Sequence, residues 1–100
     1  MAEGLGISGS KSMLNIAAST VIAVTTASSY AGRRIARVNV IVAGTTVGTV
    51  NDALTVAQAA VANQVFGIPN TVGSYQLDFP MFVGIVIVTG AGQTVSVSYD

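Results

Sequence analysis

The sequence predicts one antiparallel all-β domain, a sandwich or small barrel, preceded by a short arm. Three observations carry this expectation. Val, Ala and Ile dominate the apolar residues, Thr and Ser are abundant, and Leu is scarce. That balance suits pleated strands, because β-branched side chains lose rotamer freedom in helices. Several stretches alternate apolar and polar residues at a period of two. Gly, Asn and Pro punctuate the chain at intervals of about ten residues, the spacing of short strands in sandwiches and barrels. A length of 100 residues fits a single domain, and leaves no room for the helices that parallel crossovers require.

Residues 1–12 read as a flexible arm. Gly4, Gly6 and Gly9 with Ser8, Ser10 and Ser12 form a composition that builds no core of its own, while Leu5 and Ile7 give it two apolar points with which to grip a neighbour. The domain then occupies residues 13–100. Its first two strands are expected at 13–17 and 20–26, with residues 28–32 as the break. The next strand, 34–43, sets Ala36, Val38, Val40 and Val42 on one face, with Arg37 and Asn39 beside Ile35 and Ile41 on the other. Gly44-Thr45-Thr46 reads as a hairpin connection into a strand at 47–50, which Asn51-Asp52 ends. Residues 53–63 are Ala-rich and fit either two turns of helix or a loop.

A short strand at 64–68 follows, and Pro69-Asn70 marks a turn. The strand at 72–79 carries Tyr75, Leu77 and Phe79 on one face and Gln76 and Asp78 on the other, and Pro80 is expected to stop it. Residues 82–89 are apolar on both faces, as suits a central strand buried between two layers. After the turn at Gly90-Ala91-Gly92, the last strand, 94–99, alternates Val95, Val97 and Tyr99 with Thr94, Ser96 and Ser98.

Composition also narrows function. The chain is 51% hydrophobic and 8% charged, with four basic and four acidic residues and zero net charge, whereas soluble domains usually carry about 25% charged residues. So little charge keeps a lone domain poorly soluble. The implication is that another protein covers much of the surface.

With no His and no Cys, the common zinc, copper and iron sites, thiol chemistry and a disulfide framework are not expected, and no cofactor is implied. A Ser or Thr nucleophile lacks its usual base. Lys11, the only lysine, sits in the arm. Asp52 and Asp78 are the only interior carboxylates and read as a turn cap and a solvated strand residue rather than a catalytic acid pair. The Gly4-Leu5-Gly6-Ile7-Ser8-Gly9 run matches a dinucleotide fingerprint, but no strand precedes it. No catalytic residue is assigned, and the chain is not expected to be an enzyme.

Four basic residues do not track a phosphate backbone, so no nucleic-acid partner is expected. Residues 12–32 are uncharged and end in Ser29-Tyr30-Ala31, loosely like a secretory signal. Asn15, Ser19, Thr20, Thr25 and Thr26 interrupt that apolar run and favour strands. The longest apolar run, 81–88, falls well short of the roughly 20 residues of a membrane helix, so no membrane partner is expected. Arg33, Arg34 and Arg37 concentrate three of the four positive charges. They read either as a solvated strand start or, with Tyr30, as a patch for an acidic partner. The candidate partner interface is therefore Leu5, Ile7, Tyr30, Arg33, Arg34 and Arg37.

The order of these elements resembles a group of small phage and prophage virion proteins. The likeness runs from Thr20-Val21-Ile22 through Gly32-Arg33-Arg34-Ile35-Ala36-Arg37-Val38 and the Gly48-Thr49-Val50-Asn51-Asp52 exit. It continues through Ile68-Pro69-Asn70-Thr71-Val72-Gly73 and Leu77-Asp78-Phe79-Pro80. It closes on Gly84-Ile85-Val86-Ile87-Val88 and Gly92-Gln93-Thr94-Val95-Ser96-Val97-Ser98-Tyr99, and so covers nearly all of the chain after residue 13.

The resemblance implies a jelly-roll-like sandwich acting as a capsid decoration or cement protein. Such a protein is made in the host cytoplasm and sits on the capsid surface of the virion, bridging subunits of the major capsid protein. A homo-oligomer, dimer or trimer, is expected. The alternative is a fibre or tail β-module that binds a host surface glycan or another virion protein.

Overall fold

The computed structural model describes residues 11–24 and 33–100. Eight strands follow one another: β1 (Lys11–Ile16), β2 (Thr20–Val24), β3 (Arg33–Val42), β4 (Gly48–Asn51), β5 (Gln64–Ile68), β6 (Gly73–Met81), β7 (Gly84–Val88) and β8 (Thr94–Tyr99). β1 starts at Lys11 because Lys11 and Ser12 pair with Tyr99 and Ser98, so these two residues belong to a sheet and not to the arm. Residues 1–10 lie outside the described residues. β6 runs past Pro80 to Met81, with Pro80 opposite Arg34. As an edge strand it has a side that owes the ladder no N–H, and there proline is tolerated.

The 53–63 stretch makes two separate 3-10 turns, Val56–Gln58 and Val61–Asn63. Side-chain amides hold them. Asn63 accepts from the Ala60 N–H at 2.9 Å and donates to the Gln58 carbonyl at 2.8 Å, and Gln58 accepts from the Leu54 N–H at 3.1 Å. Local amide bonds of this kind compete with a continued helix.

Two four-stranded antiparallel sheets result, in the orders β1-β8-β3-β6 and β2-β7-β4-β5. The pairings β1 with β8, β2 with β7, β3 with β6 and β4 with β5 nest inside one another, so the chain folds as one doubled ribbon. β3 and β4 therefore lie in different sheets, and the Gly44-Thr45-Thr46 connection crosses between them instead of closing a hairpin. A Gly-Thr-Thr turn has the same local signature in either case. Which sheet the next strand joins is decided by distant partners.

All eight strands feed one apolar core in a sandwich-like arrangement: Ile16, Ile22, Ile35, Val38, Val40, Val50, Ile68, Met81, Ile85, Ile87, Val95 and Val97. Every member except Met81 is β-branched, which rigidifies the packing at little rotamer cost. β7 is buried on both faces as expected. Ile85 and Ile87 enter the core, while Val86 between them is equally inaccessible where β7 meets the first 3-10 turn.

The inward face of β3 differs from the simple alternation. Ile35 is inside with Val38 and Val40, while Val42 is half exposed. The cause is a pair of bulges, the second at Ile41, where Val40 and Val42 face the consecutive residues Val95 and Thr94. Against β8, Ile35 and Arg37 face consecutive residues, Tyr99 and Ser98, which leaves Ala36 as an extra residue that shifts the phase. The same device appears on every edge strand. β1 gains a residue at 14–15, β2 at Ile22, β5 at Val65 and β6 at 77–78.

In β1 and β6 the bulge contains a residue with left-handed backbone, Asn15 at φ 55° and Asp78 at φ 50°. Asn and Asp are the side chains that best tolerate this region after glycine. Bulged edges resist pairing with foreign strands. Replacing Asn15 with Val is expected to cost about 1–2 kcal/mol. Asn15→Gly should hold or slightly raise stability, and equal melting temperatures for the two variants would overturn this assignment.

Candidate functional site

Register fixes what lies at each end of the domain. The row Lys11, Tyr99, Ile35, Phe79 crosses the first sheet at one end. At that end lie the β4–β5 excursion and the β6–β7 turn. The opposite end carries the loops leaving β1, β3, β5 and β7. Each end is locked by one polar side chain and displays apolar ones.

At the first end the lock is Asp52. Its carboxylate accepts three successive backbone N–H groups, from Phe82 at 3.0 Å, Val83 at 2.6 Å and Gly84 at 3.0 Å. Its own N–H donates to the Asn63 carbonyl at 2.9 Å. The sequence reading of Asp52 as a turn cap thus holds in kind but not in place, since the turn it caps lies thirty residues ahead. Around this node Leu54, Val56, Val61, Phe82 and Val83 are exposed, Val61 by 88% and Phe82 by 77%.

At the opposite end the lock is Gln93, which is 1% exposed. Its side chain accepts from the Gly90 N–H at 3.1 Å and donates to the Pro69 carbonyl at 3.0 Å, joining the β7–β8 loop to the β5–β6 loop. The β3–β4 loop is tied in by Thr45 N–H to the Ala91 carbonyl at 2.8 Å and by Ala91 N–H to Thr46 Oγ1 at 2.7 Å. The approach is close enough to demand glycine. A Cβ on Gly90 would lie 1.9 Å from the Thr46 carbonyl oxygen, and Gly44 combines φ +73° with a Cβ position 2.6 Å from the Ala91 oxygen.

Ile41, Val42, Val47 and Val72 stand exposed on this locked end. Carrying the β3–β6 register one step beyond Val40–Gly73 sets Ile41 opposite Val72.

Of the sequence-derived interface residues, the three arginines of β3 are the ones described. Arg34 and Arg37 are exposed on β3, where Arg34 donates to the Asp78 carbonyl at 2.9 Å and Arg37 to Ser74 Oγ at 3.3 Å. Both guanidinium groups thus contribute to holding the edge strand β6. Arg33 opens β3 opposite Met81. Leu5, Ile7 and Tyr30 lie outside the described residues. Sequence reasoning missed Gln93, whose only signal is a lone amide between a Gly-rich turn and an apolar strand. It also missed the exposed valines, which local pattern does not distinguish from core valines.

Asp78 is exposed and accepts from Gln76 Nε2 at 2.7 Å. Among the described residues no three His, Cys, Asp or Glu side chains gather as a metal site, and no helix is long and apolar enough to cross a membrane. No protein-family model, curated protein or solved structure matches this chain.

Two stability predictions follow from the locks. Asp52→Ala removes the acceptor of three N–H groups and is expected to cost about 2 kcal/mol, a fall of roughly 8–16 °C in melting temperature for a domain of this size. Amide exchange at residues 82–84 should quicken beyond the general increase that the lower stability brings to the core. Gly90→Ala is expected to cost about 3 kcal/mol or to prevent folding, and a variant that melts like the parent would refute the close loop packing.

Proposed function

We propose that this chain is a structural assembly protein, a decoration or cement protein bound to the outside of a phage capsid. The observation that carries the reading is the end locked by Gln93. Four aliphatic side chains are exposed there, Ile41 and Val42 at the end of β3 and Val47 and Val72 on loops fixed by hydrogen bonds, in a chain with 8% charged residues. Preorganised apolar loops lose little conformational entropy on binding, which favours a permanent contact built on buried area alone.

Further support comes from topology. Nested antiparallel pairing of eight strands in two four-stranded sheets is the order expected of a jelly roll, an architecture used by viral capsid proteins. The sequence resemblance to small virion proteins points the same way. The bulges on all four edges favour docking through the loop end over strand addition. The partner in this reading is the major capsid protein, and a dimer or trimer of the chain would present several such ends together.

The glycan-binding alternative draws less support. Tyr75 and Tyr99 pack against the core, and the Tyr75 hydroxyl donates to the Thr71 carbonyl at 3.1 Å, which takes these two rings out of a stacking platform.

The test is quantitative mass spectrometry of particles from the source, counting this chain against the major capsid protein. A comparable copy number is expected. A handful of copies would move the chain to a tail or fibre, and absence from particles would sink the proposal. Val47→Asp and Val72→Asp should each weaken particle attachment by tenfold or more, since burying a Val contributes about 1.5–3 kcal/mol and each 1.4 kcal/mol is a factor of ten.

A further inference from the structure

The apolar group around Asp52 is a second exposed surface, and the geometry points to its occupant: we propose that residues 1–10 of the same chain cover it, with Leu5 and Ile7 as the contacts. Val61 and Phe82 are the two most exposed large apolar residues among those described. The hydrogen bonds of Asp52 to Phe82 and Val83, and to Asn63, draw their segments together with Leu54.

The chain enters the domain at this same end. Lys11, the first residue of β1, stands in one row with Tyr99, Ile35 and Phe79, and Phe79 leads through Pro80 and Met81 to Phe82. Three strand spacings of about 4.8 Å put that row at roughly 14 Å across. An extended chain advances about 3.3 Å per residue. Ile7, four residues before Lys11, therefore reaches about 13 Å and Leu5 about 20 Å, which spans the distance to the Phe82–Val83 turn.

The spacing of Leu5 and Ile7 puts both on one side of an extended segment. Met1–Ser10 carries a single charged side chain, Glu3, so little opposes its contact with an apolar surface. A tether this short supplies an effective concentration in the millimolar range. A second copy at micromolar concentration competes poorly with it.

Amide hydrogen exchange tests this on three proteins: the full chain, a chain lacking residues 2–10, and Leu5→Ser/Ile7→Ser. Both variants are expected to lose roughly tenfold in protection at residues 54–62 and 82–84, with residues 43–47 and 89–93 unchanged. The serine pair keeps the test valid if the truncated chain folds poorly. Equal protection in the parent and the serine pair would overturn the proposal. Protection at 54–62 that rises with protein concentration would also overturn it, because it would make a second copy the occupant.

Discussion

A strand presents the same face for its whole length unless an extra residue interrupts its period of two, and this fold depends on such interruptions. Ala36 brings Ile35 to the core side of a strand whose Val38 and Val40 already face inward. Leu14 and Asn15 take up a residue so that Met13 and Ile16 both pack inward while Leu14 faces out. The bulges therefore set which aliphatic side chains build the core and which are displayed. They also make the four sheet edges poor templates for foreign strands.

Those ends are organised by two polar side chains of different chemistry. The carboxylate of Asp52 gathers three N–H groups of a tight turn, as an anion does in a backbone nest. The amide of Gln93 accepts an N–H from one loop and donates to a carbonyl of another, a combination that an ionised acid or a lysine cannot make with one side chain. In each case the lock includes a bond between residues far apart in the chain, from Asp52 to the 82–84 turn and from Gln93 to Pro69. The exposed aliphatic groups at the two ends are thus held in place by polar locks beneath them, and the charge-poor surface around them offers little competition for contact.

The eight strands were legible from local pattern because alternation and turn residues depend on neighbours only. Thr94–Tyr99 and Gln64–Ile68 have the bounds that pattern predicts. Pro80 and Gly44-Thr45-Thr46 misled for one reason. Proline is tolerated where a strand has an open side, and a turn closes a hairpin only where the next strand pairs with the last. Both are facts of sheet order. The candidate interface was less legible. Arg34 and Arg37 drew attention by charge density, yet they donate to Asp78 and Ser74 of the adjacent strand, while Val47 and Val72 look like any core valine in sequence.

By itself, then, the sequence determined an all-β chain of short strands, rich in β-branched residues and poor in charge, without the His and Cys that most metal and nucleophile chemistry uses. Tertiary structure alone decided the nested pairing, the bulge positions, the roles of Asp52 and Gln93, and the sorting of valines into core and surface. The physical reason is range. Propensity and alternation act over a few residues, whereas strand order and phase are set by pairings such as Lys11 with Tyr99 that span almost the whole chain.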